Sequence, residues 1–183
     1  MNTVDEIFGI FGQHGADAYF GERVSVTEHC LQAAWFAQQD GAPARLIVAS
    51  LLHDIGHLIG GVADDHGRST EDGQHERLGS TWLAGRFGIE ISDPVRLHVA
   101  AKRYLCATDP GYFASLSRPS VHSLRLQGGP MSDTECAAFE REPYFREALL
   151  VRRCDDRAKV ADLSIPRLQT YRELLETYAA APA

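Results

Sequence analysis

The stretch that decides the fold is residues 46–58, which read LIVASLLHDIGHL. Its apolar first half is typical of a buried helix, and that helix ends in an imidazole and a carboxylate, His53 and Asp54. Asp54 and His57 are three residues apart, so on a continuing helix they face the same way. Gly56 would let the backbone tighten, or let a metal and its ligands approach closely. Taken alone, the His-Asp pair indicates only a polar helix end. Whether it belongs to a metal site depends on the other histidines.

The composition is that of an ordinary globular protein of 183 residues. Hydrophobic residues make up 44% and charged residues 23%, and we expect one domain spanning residues 1–183. The formal charge of −7 offers no basic stripe to phosphates, which argues against nucleic-acid binding. No segment approaches a transmembrane span, and the first residues lack the features of a signal peptide. We therefore predict a cytoplasmic protein without a membrane partner.

The cysteines and lysines are few and widely spaced. None of the four cysteines forms a Cys-x-x-Cys pair, so neither a disulfide framework nor a zinc knuckle is expected. Only two of the 18 basic residues are lysines, Lys102 and Lys159. A lysine close to a cluster of ligand residues is therefore conspicuous in this chain.

Helical patterns run along most of the chain, and strand-like alternation is scarce. Capping-box matches at Ser25-Val26-Thr27-Glu28 and Ser132-Asp133-Thr134-Glu135 predict two helix starts, the first helix running to about Gln39. The other predicted helices cover residues 4–14, 43–54 and 74–87 or begin at Asp93-Pro94, Pro143 and Pro166. Residues 60–73 are predicted to form an exposed loop. The fold class is therefore predicted to be all-α, a bundle of six or more helices.

Six side chains of metal-ligand type lie on these predicted helices: His29, His53, Asp54, His75, His98 and Asp155. Imidazoles mixed with carboxylates suit iron, manganese, zinc or cobalt, and the absence of nearby cysteines disfavours structural zinc. Six ligands are too many for one metal that keeps an open position, so the set indicates two metals with Asp54 as the bridge. A single buried histidine is usually a hydrogen-bonded core residue, and an Asp155–Arg152 pair would be an ordinary ion pair. The inference therefore depends on the joint pattern, from which His14, His66 and His122 are excluded.

The series His29, His53-Asp54 and Asp155 resembles the HD-domain superfamily of helical metalloenzymes, most of which are phosphohydrolases. With His75 and His98 added, the chain resembles the mixed-valent di-iron oxygenases: myo-inositol oxygenase and, much more closely, the PhnZ-type phosphonate oxygenases. The matching stretches are residues 19–22, 52–57, 74–76, 98–105, 120–124, 127–131 and 152–159. They cover the chain from about Tyr19 to Lys159, and together they are specific.

The resemblance implies a single HD domain that holds two irons. One iron would be bound by His29, His53, Asp54 and Asp155. The second would be bound by His75 and His98, with Asp54 bridging. Tyr19, in a flexible loop, would ligate the second iron in the resting enzyme and leave when substrate arrives, with Glu22 moving in the same loop.

The resemblance also implies the substrate contacts. The phosphonate would be faced by His57 and Lys102, with Ser120, Ser123 and Arg152 as further anchors. These residue types suit a dianion, because they supply positive charge and hydrogen-bond donors.

The reaction implied by the resemblance is cleavage of the carbon–phosphorus bond of a 1-hydroxy-2-aminoethylphosphonate by O2 and a mixed-valent Fe(II)/Fe(III) pair. The products would be phosphate and glycine, or phosphate and glycine betaine if the amine carries three methyl groups. A primary ammonium needs hydrogen-bond acceptors, whereas a trimethylammonium favours aromatic faces and diffuse negative charge. Glu22 suits either amine. Candidates for an aromatic wall are Tyr19, Phe20, Tyr104, Tyr112 and Phe113, and the sequence does not choose between the two substrates.

Two other functions stay open at this point. A metal-dependent phosphohydrolase acting on a nucleotide or phosphate monoester would use the metals to lower the pKa of a bound water. The tyrosine–glutamate loop counts against it, as does His57, where many nucleotide-cleaving relatives carry a lysine. The third possibility is a catalytically silent metal-binding or sensor module, which the complete ligand set disfavours.

Overall fold

The computed structural model describes residues 2–59 and 74–180. In these ranges the chain forms eleven α-helices, one 3-10 helix (Leu168–Tyr171) and only isolated β-bridges. The α-helices are α1 (Thr3–His14), α2 (Val26–Gln39), α3 (Ala44–Leu52), α4 (Ile55–Ile59), α5 (His75–Ala84), α6 (Ile89–Thr108), α7 (Pro110–Ser115), α8 (Arg118–Leu126), α9 (Asp133–Phe139), α10 (Phe145–Arg157) and α11 (Arg172–Tyr178). The predicted all-α class is confirmed. The predicted loop over residues 60–73, which includes His66, lies outside the described residues.

Helix α3 lies at the centre of the bundle because apolar side chains cover most of its surface. It packs against α2, α6 and α10, and α6 in turn packs against α5 and α10. The main hydrophobic core includes Ile7, Leu51, Ile55 and Ile91, all fully buried. No helix in the two described ranges is long and apolar enough to cross a membrane. Five helices, α2, α3, α5, α6 and α10, therefore meet around one point.

Both capping boxes predicted from the sequence are present. Ser25 and Glu28 exchange hydrogen bonds at the start of α2, and Ser132 and Glu135 do so at the start of α9. Each box satisfies main-chain N–H groups that a helix start leaves without partners, and such a cap contributes about 1 kcal/mol. The first of these caps fixes the helix that carries His29.

The helix that was predicted to open at Asp93-Pro94 begins earlier, at Ile89, and Pro94 lies inside it. Pro94 falls in the second turn, where its missing N–H removes only one hydrogen bond close to the helix start. Gly88 precedes the helix and offers no side-chain cap, so no capping residue marks the true start. The helix runs on to Thr108 and carries His98.

Two predicted starts at prolines are also wrong. Helix α10 begins at Phe145, after Pro143, and α11 begins at Arg172, well after Pro166. Neither helix has a side-chain hydrogen bond at its start, so the prolines were the only sequence cues. A 3-10 turn over Leu168–Tyr171 precedes α11 instead of a continuous helix.

The helix predicted to end in the His-Asp pair ends just before it. Helix α3 ends at Leu52, His53 caps it, and Asp54 lies in the turn before α4. A main-chain hydrogen bond of 3.0 Å still joins the His57 N–H to the Asp54 carbonyl. Gly56 allows a close approach, but to another helix: an added Cβ would lie 2.0 Å from the carbonyl oxygen of His75. The glycine therefore lets α5 pack directly on α4.

Candidate metal centre

The turn between α3 and α4 places two ligand side chains at the centre of the bundle. His53 and Asp54 are 0% and 1% exposed. The Nδ1 atom of His53 lies 2.8 Å from the carbonyl oxygen of Ser50 on α3. Each carboxylate oxygen of Asp54 lies close to a different pair of imidazoles, so this carboxylate is the natural starting point for the site.

The first group of ligand atoms surrounds Oδ2 of Asp54. The Nε2 atoms of His29 and His53 each lie 3.4 Å from Oδ2, and they lie 3.1 Å from one another. Asp155, on α10, adds a second carboxylate, with Oδ1 3.4 Å from His29 Nε2 and Oδ2 3.8 Å from His53 Nε2. Four buried side chains of metal-ligand type are thus brought together by α2, α10 and the end of α3.

The second group surrounds the other oxygen of Asp54. The Nε2 atoms of His75 and His98 lie 3.3 Å and 3.6 Å from Oδ1, and 3.2 Å from one another. His98 is buried, and His75 exposes 11% of its side chain. All six residues predicted as ligands are therefore brought together, with Asp54 between the two groups. His14 and His122, which were excluded, belong to neither group.

Main-chain carbonyls orient three of the four imidazoles. Their Nδ1 atoms lie 2.7–2.8 Å from carbonyl oxygens, in the pairs His29–Ala158, His53–Ser50 and His98–Val95. Because a carbonyl oxygen can only accept, each of these Nδ1 atoms carries the proton. In a neutral imidazole the Nε2 atom then presents its lone pair to the centre.

This arrangement fits a bound metal. The Nε2 atoms of His29 and His53 face each other at 3.1 Å, and in the neutral rings both lone pairs would be directed at a cation bound between them. Asp155 Oδ1 is buried and accepts no hydrogen bond from any described residue. Nitrogen and oxygen donors without sulfur suit a first-row transition metal. The residues therefore fit a buried metal site.

The electrostatics of the cluster keep both carboxylates ionised, and a metal would have to displace a proton from His53. Burial lowers the pKa of this imidazole, but the charge of Asp54 outweighs burial and raises the pKa to about 9. Burial alone would raise the pKa of Asp54, but His53 and hydrogen bonds from other histidines hold it well below its usual range. The same balance, with Arg152 as the main cation, keeps the pKa of Asp155 low. Burial, reinforced by His75, lowers the pKa of His98 to about 3. Ionised carboxylates and a neutral imidazole are the forms that bind metals.

Tyr19 reaches the centre from the loop before α2. Its hydroxyl donates a 2.8 Å hydrogen bond to Asp54 Oδ2, and its ring stacks on His29 with the ring centroids 3.7 Å apart. The following residues form a tight turn in the left-handed region, with φ of +40° at Phe20 and +79° at Gly21. The hydroxyl therefore contacts the bridging carboxylate, through the oxygen that faces the first group.

Two further predicted residues, Glu22 and His57, flank the centre. Glu22 accepts a 2.6 Å hydrogen bond from the hydroxyl of Ser117, which caps α8. His57 stacks on His75 at 3.9 Å between ring centroids, and the ring of Phe20 lies 4.5 Å from it. Burial and the neighbouring His75 lower the pKa of His57 well below its usual value, so this imidazole is neutral.

The predicted phosphonate contacts Lys102, Ser120 and Ser123 form one cluster with a residue that was not predicted, Lys159. The ammonium of Lys102 donates a hydrogen bond of 3.0 Å to Ser123 Oγ, and that of Lys159 donates one of 3.2 Å to Ser120 Oγ. Ser120 and Ser123 lie on helix α8, not on a loop. Burial, followed by the charge of Arg152, lowers the pKa of Lys102 to about 7.

Arg152 is held by carboxylates of its own helix. It donates to Asp155 Oδ2 at 2.7 Å and to both oxygens of Asp156, and its Nε atom lies 3.0 Å from the Tyr112 hydroxyl. The spacing of three and four residues to the two aspartates was visible in the sequence. Tyr112, from a distant helix, was not assigned this contact because nothing in the sequence links it to α10.

The aromatic wall considered from the sequence is only partly formed. Tyr19 and Phe20 lie at the centre, in edge contact with one another. Tyr104 instead packs among other aromatic rings and donates to Glu140, and Phe113 is 45% exposed. The hydroxyl of Tyr112 contacts Arg152, as described above.

Comparison with known proteins adds an independent observation. No protein-family model matches the chain. The chain is 48% identical over 165 residues to a (1-hydroxy-2-(trimethylamino)ethyl)phosphonate dioxygenase (glycine-betaine-forming) from Leisingera caerulea, which covers 90% of this chain and 84% of the relative. It is 44% identical over 178 residues to a hydroxymethylphosphonate dioxygenase from Gimesia maris, covering 95% and 87% of the two chains. An uncharacterised protein of Acanthamoeba polyphaga mimivirus is 35% identical over 181 residues, covering 97% and 82%.

Two of these relatives are 48% and 44% identical to this chain over 90% and 95% of its length, and both are named for oxidation of a phosphonate. Similarity over so much of the length includes every helix that contributes to the candidate centre. The chain belongs to the PhnZ-type phosphonate dioxygenases, and it is an oxygenase.

Proposed function

We propose that this oxygenase uses O2 and a mixed-valent Fe(II)/Fe(III) pair to cleave the carbon–phosphorus bond of a 1-hydroxy-2-aminoethylphosphonate. The amine is free or trimethylated, and the products are phosphate with glycine or glycine betaine. The observation that carries the proposal is Asp54, which has two imidazole Nε2 atoms beside each of its carboxylate oxygens. That geometry supports two metals sharing one carboxylate.

Six side chains would hold the irons, in the two groups described above. His29, His53 and Asp155 would bind the first iron. His75 and His98 would bind the second, and Asp54 would bridge. When bound, the irons would supply the one-electron chemistry that activation of O2 requires.

The overall reaction balances without a further reductant. The hydroxyl-bearing carbon loses four electrons as it becomes a carboxylate, and one O2 accepts four electrons. The C–P bond breaks, both oxygen atoms of O2 enter the products, and one proton is released. The part of the protein is to bind the substrate, orient its hydroxyl carbon and exclude water.

The substrate's phosphonate would lie against the cluster formed by Lys102, Lys159, Ser120 and Ser123. Lys102 and His57 would face it, and Ser120 and Ser123 would donate hydroxyl hydrogen bonds. Support comes from the buried ammonium of Lys102, which already donates to Ser123 Oγ. Arg152 would add positive charge while it holds Asp155.

Glu22 supports a substrate that carries an amine. Its carboxylate accepts from Ser117 Oγ, which also lies 3.1 Å from Ser120 Oγ within the proposed phosphonate cluster. A substrate whose phosphonate binds at Ser120 would thus have the Glu22 carboxylate two hydrogen bonds away, where it could meet an amine on the same molecule. The Leisingera caerulea relative is named for a trimethylamino substrate, whereas the Gimesia maris relative is named for hydroxymethylphosphonate, which has no amine.

The remaining expectations from the sequence stay predictions. They are a single HD domain over residues 1–183, a cytoplasmic location, and the absence of nucleic-acid and membrane partners. Tyr19 as a ligand of the second iron, with Glu22 moving in the same loop, also stays a prediction.

The proposal is tested by phosphate release with and without O2. The substrates are 2-amino-1-hydroxyethylphosphonate, its N-trimethyl analogue and hydroxymethylphosphonate, and the iron content of the active enzyme is measured in parallel. We expect release only in the presence of O2, with one O2 consumed per phosphate and two irons per chain. Release from a nucleotide or phosphate monoester without O2, by an enzyme holding a redox-inert metal, would support the phosphohydrolase instead.

A further inference from the structure

Three side chains form a cluster next to the candidate centre: Arg152 and Tyr112, which are buried, and Asp156, whose side chain is 19% exposed. We call this cluster the arginine clamp. Arg152 Nε donates to the Tyr112 hydroxyl at 3.0 Å and to Asp156 Oδ2 at 3.1 Å. Tyr112 in turn donates to Asp156, and a second guanidinium nitrogen also reaches that carboxylate. Tyr112 and Arg152 are only 6% and 4% exposed, so solvent does not provide alternative partners.

The clamp holds one oxygen of a proposed ligand. The third guanidinium nitrogen, NH1 of Arg152, donates 2.7 Å to Oδ2 of Asp155. Oδ1 of Asp155 accepts no hydrogen bond from the described part of the chain; it lies 3.4 Å from His29 Nε2 and 3.6 Å from the ammonium of Lys159. A carboxylate that is anchored through one oxygen presents the other in a fixed direction, as ligands of metal sites commonly do.

The clamp is built by helix geometry and a helix cap. Asp155 and Asp156 follow Arg152 by three and four residues on α10, so all three lie on one face. Tyr112 comes from α7, whose start is fixed by Asp109 through hydrogen bonds from the N–H groups of Gly111 and Tyr112. Because a buried guanidinium needs paired charges, Asp156 also compensates Arg152 while Asp155 serves the centre.

We propose that Tyr112 and Asp156 are positioning residues that act through Arg152 to hold Asp155 in the orientation of a metal ligand. The inference rests on the proposed function, because it takes Asp155 as a ligand of the first iron. Only the first group contains Asp155, so the clamp bears on one of the two metals. His75 and His98 have no contact with it among those described above.

The test is metal binding by Tyr112→Phe and Asp156→Asn, measured without substrate. Metal-free protein is titrated anaerobically with Fe(II), and with Co(II) as a spectroscopic probe. Tyr171→Phe is the matched control, because the Tyr171 hydroxyl is buried and has no hydrogen-bond partner in the described ranges. Circular dichroism establishes that each variant is folded, and Asp156→Asn replaces Tyr112→Phe if the latter is not.

We expect wild-type protein and Tyr171→Phe to bind two equivalents alike. In both clamp variants, one equivalent should bind about tenfold to 100-fold more weakly while the other is unchanged. With metal at saturation, KM of Tyr112→Phe for the hydroxyphosphonate should stay within about twofold of wild type, since this variant keeps the charges of Arg152, Asp156 and Lys102. Unchanged metal affinity with a raised KM would overturn the inference, and so would equal weakening of both equivalents. A wild-type chain that binds no metal would instead contradict the proposed function.

Discussion

Lys102 is a buried ammonium whose charge depends on pH close to neutrality. Burial is the main cause of its low pKa, about 7, and the charges of Arg152 and Lys159 act in the same direction. Asp155 and Asp156 oppose this shift. The side chain is therefore charged below this pH and neutral above it. A phosphonate dianion binds the charged form more tightly.

We predict that kcat/KM of the wild-type enzyme falls as the pH rises above about 7, because kcat/KM reports ionisations of the free enzyme. Lys102→Arg should abolish this fall, since a guanidinium stays charged throughout the range. Lys102→Met should reduce kcat/KM by about 10- to 100-fold below pH 7, which is the loss expected for a hydrogen bond to a charged group. Steady-state rates from about pH 6 to about pH 9 provide the measurement. The same fall in the arginine variant would contradict the assignment.

Glu22 should discriminate substrates by their amine. In Glu22→Gln, an amide oxygen still accepts from Ser117 while the negative charge is lost. We expect KM for 2-amino-1-hydroxyethylphosphonate to rise about tenfold and KM for hydroxymethylphosphonate to stay the same. Hydroxymethylphosphonate, which has no amine, serves as the control substrate in the same variant. Equal changes for both substrates would mean that Glu22 does not meet the amine.

Tyr19→Phe removes only the hydroxyl that contacts Asp54 and keeps the ring that stacks on His29. We expect the variant to retain two irons but to show a changed visible absorption spectrum in the resting state and greater sensitivity to O2. Iron analysis and absorption spectroscopy of the purified protein provide the readout. An unchanged spectrum would count against Tyr19 as a ligand.

At the scale of elements, the contact between α4 and α5 decides where His75 lies. Gly56 fits against the carbonyl of His75 because it has no Cβ, and an added methyl group would overlap that oxygen and the N–H of Gly79. The first residue of α5 is therefore positioned by a glycine on another helix. This contact is the reason the second ligand group can form close to the end of α3.

Gly56→Ala should force α4 and α5 apart. We expect a loss of about 1–3 kcal/mol in the free energy of unfolding, as for other overpacked sites, together with weaker binding of one metal equivalent. Gly9→Ala is the control: this exposed glycine inside α1 has nothing within 4 Å of an added Cβ, and alanine there should stabilise by about 0.5–1 kcal/mol. Urea denaturation and metal titration measure the two effects. If Gly56→Ala has the same free energy of unfolding as the wild type, α4 and α5 adapt to the added methyl group and the prediction is wrong.

Helix starts could be predicted where a side chain provides a cap, as at Ser25 and Ser132. They were misplaced where the start is held only by packing, as at Ile89, Phe145 and Arg172. A proline was a poor guide there. Pro94 lies inside α6, where a missing N–H is tolerated near the helix start, whereas Pro143 and Pro166 precede α10 and α11. The all-α class was predictable because it depends on the periodicity of apolar residues and not on the starts.

At the scale of the whole molecule, the ligand residues could be predicted by type but not all of their surroundings. Histidines and aspartates at the ends of apolar runs identified the six ligand candidates. The contact of Tyr112 with Arg152 and that of Lys159 with Ser120 could not be predicted, since they depend on how α7, α8 and α10 pack. The periodicity of apolar residues predicts which face of a helix is buried. It does not predict which other helix packs against that face, because that depends on the tertiary structure.

Removal of the metals should loosen the entire bundle. The proposed ligands come from α2, the α3–α4 turn, α5, α6 and α10, so bound metal would stabilise contacts among all of them. At a free metal concentration of about 100 Kd, one bound metal stabilises the folded state by about 2.7 kcal/mol. We expect a chelator to lower the Tm of the metal-loaded protein by about 5–10 °C. Calorimetric scans of the wild type and of Asp54→Asn, with and without the chelator, provide the comparison. The chelator should lower the Tm of the variant by less than that of the wild type. An equal fall in Tm would argue against Asp54 as the bridge.

The carbonyl groups that orient His29, His53 and His98 have an evolutionary consequence. A main-chain carbonyl is present whatever residue occupies the position, so substitution at Ala158, Ser50 or Val95 leaves the acceptor in place. Genetic drift at these positions therefore cannot remove the groups that set the tautomers of three ligands. Asp155 differs, because a side chain orients it, and a single codon change in Arg152 would remove that support. The orientation of the three histidines thus depends on the backbone, whereas that of the aspartate depends on one side chain.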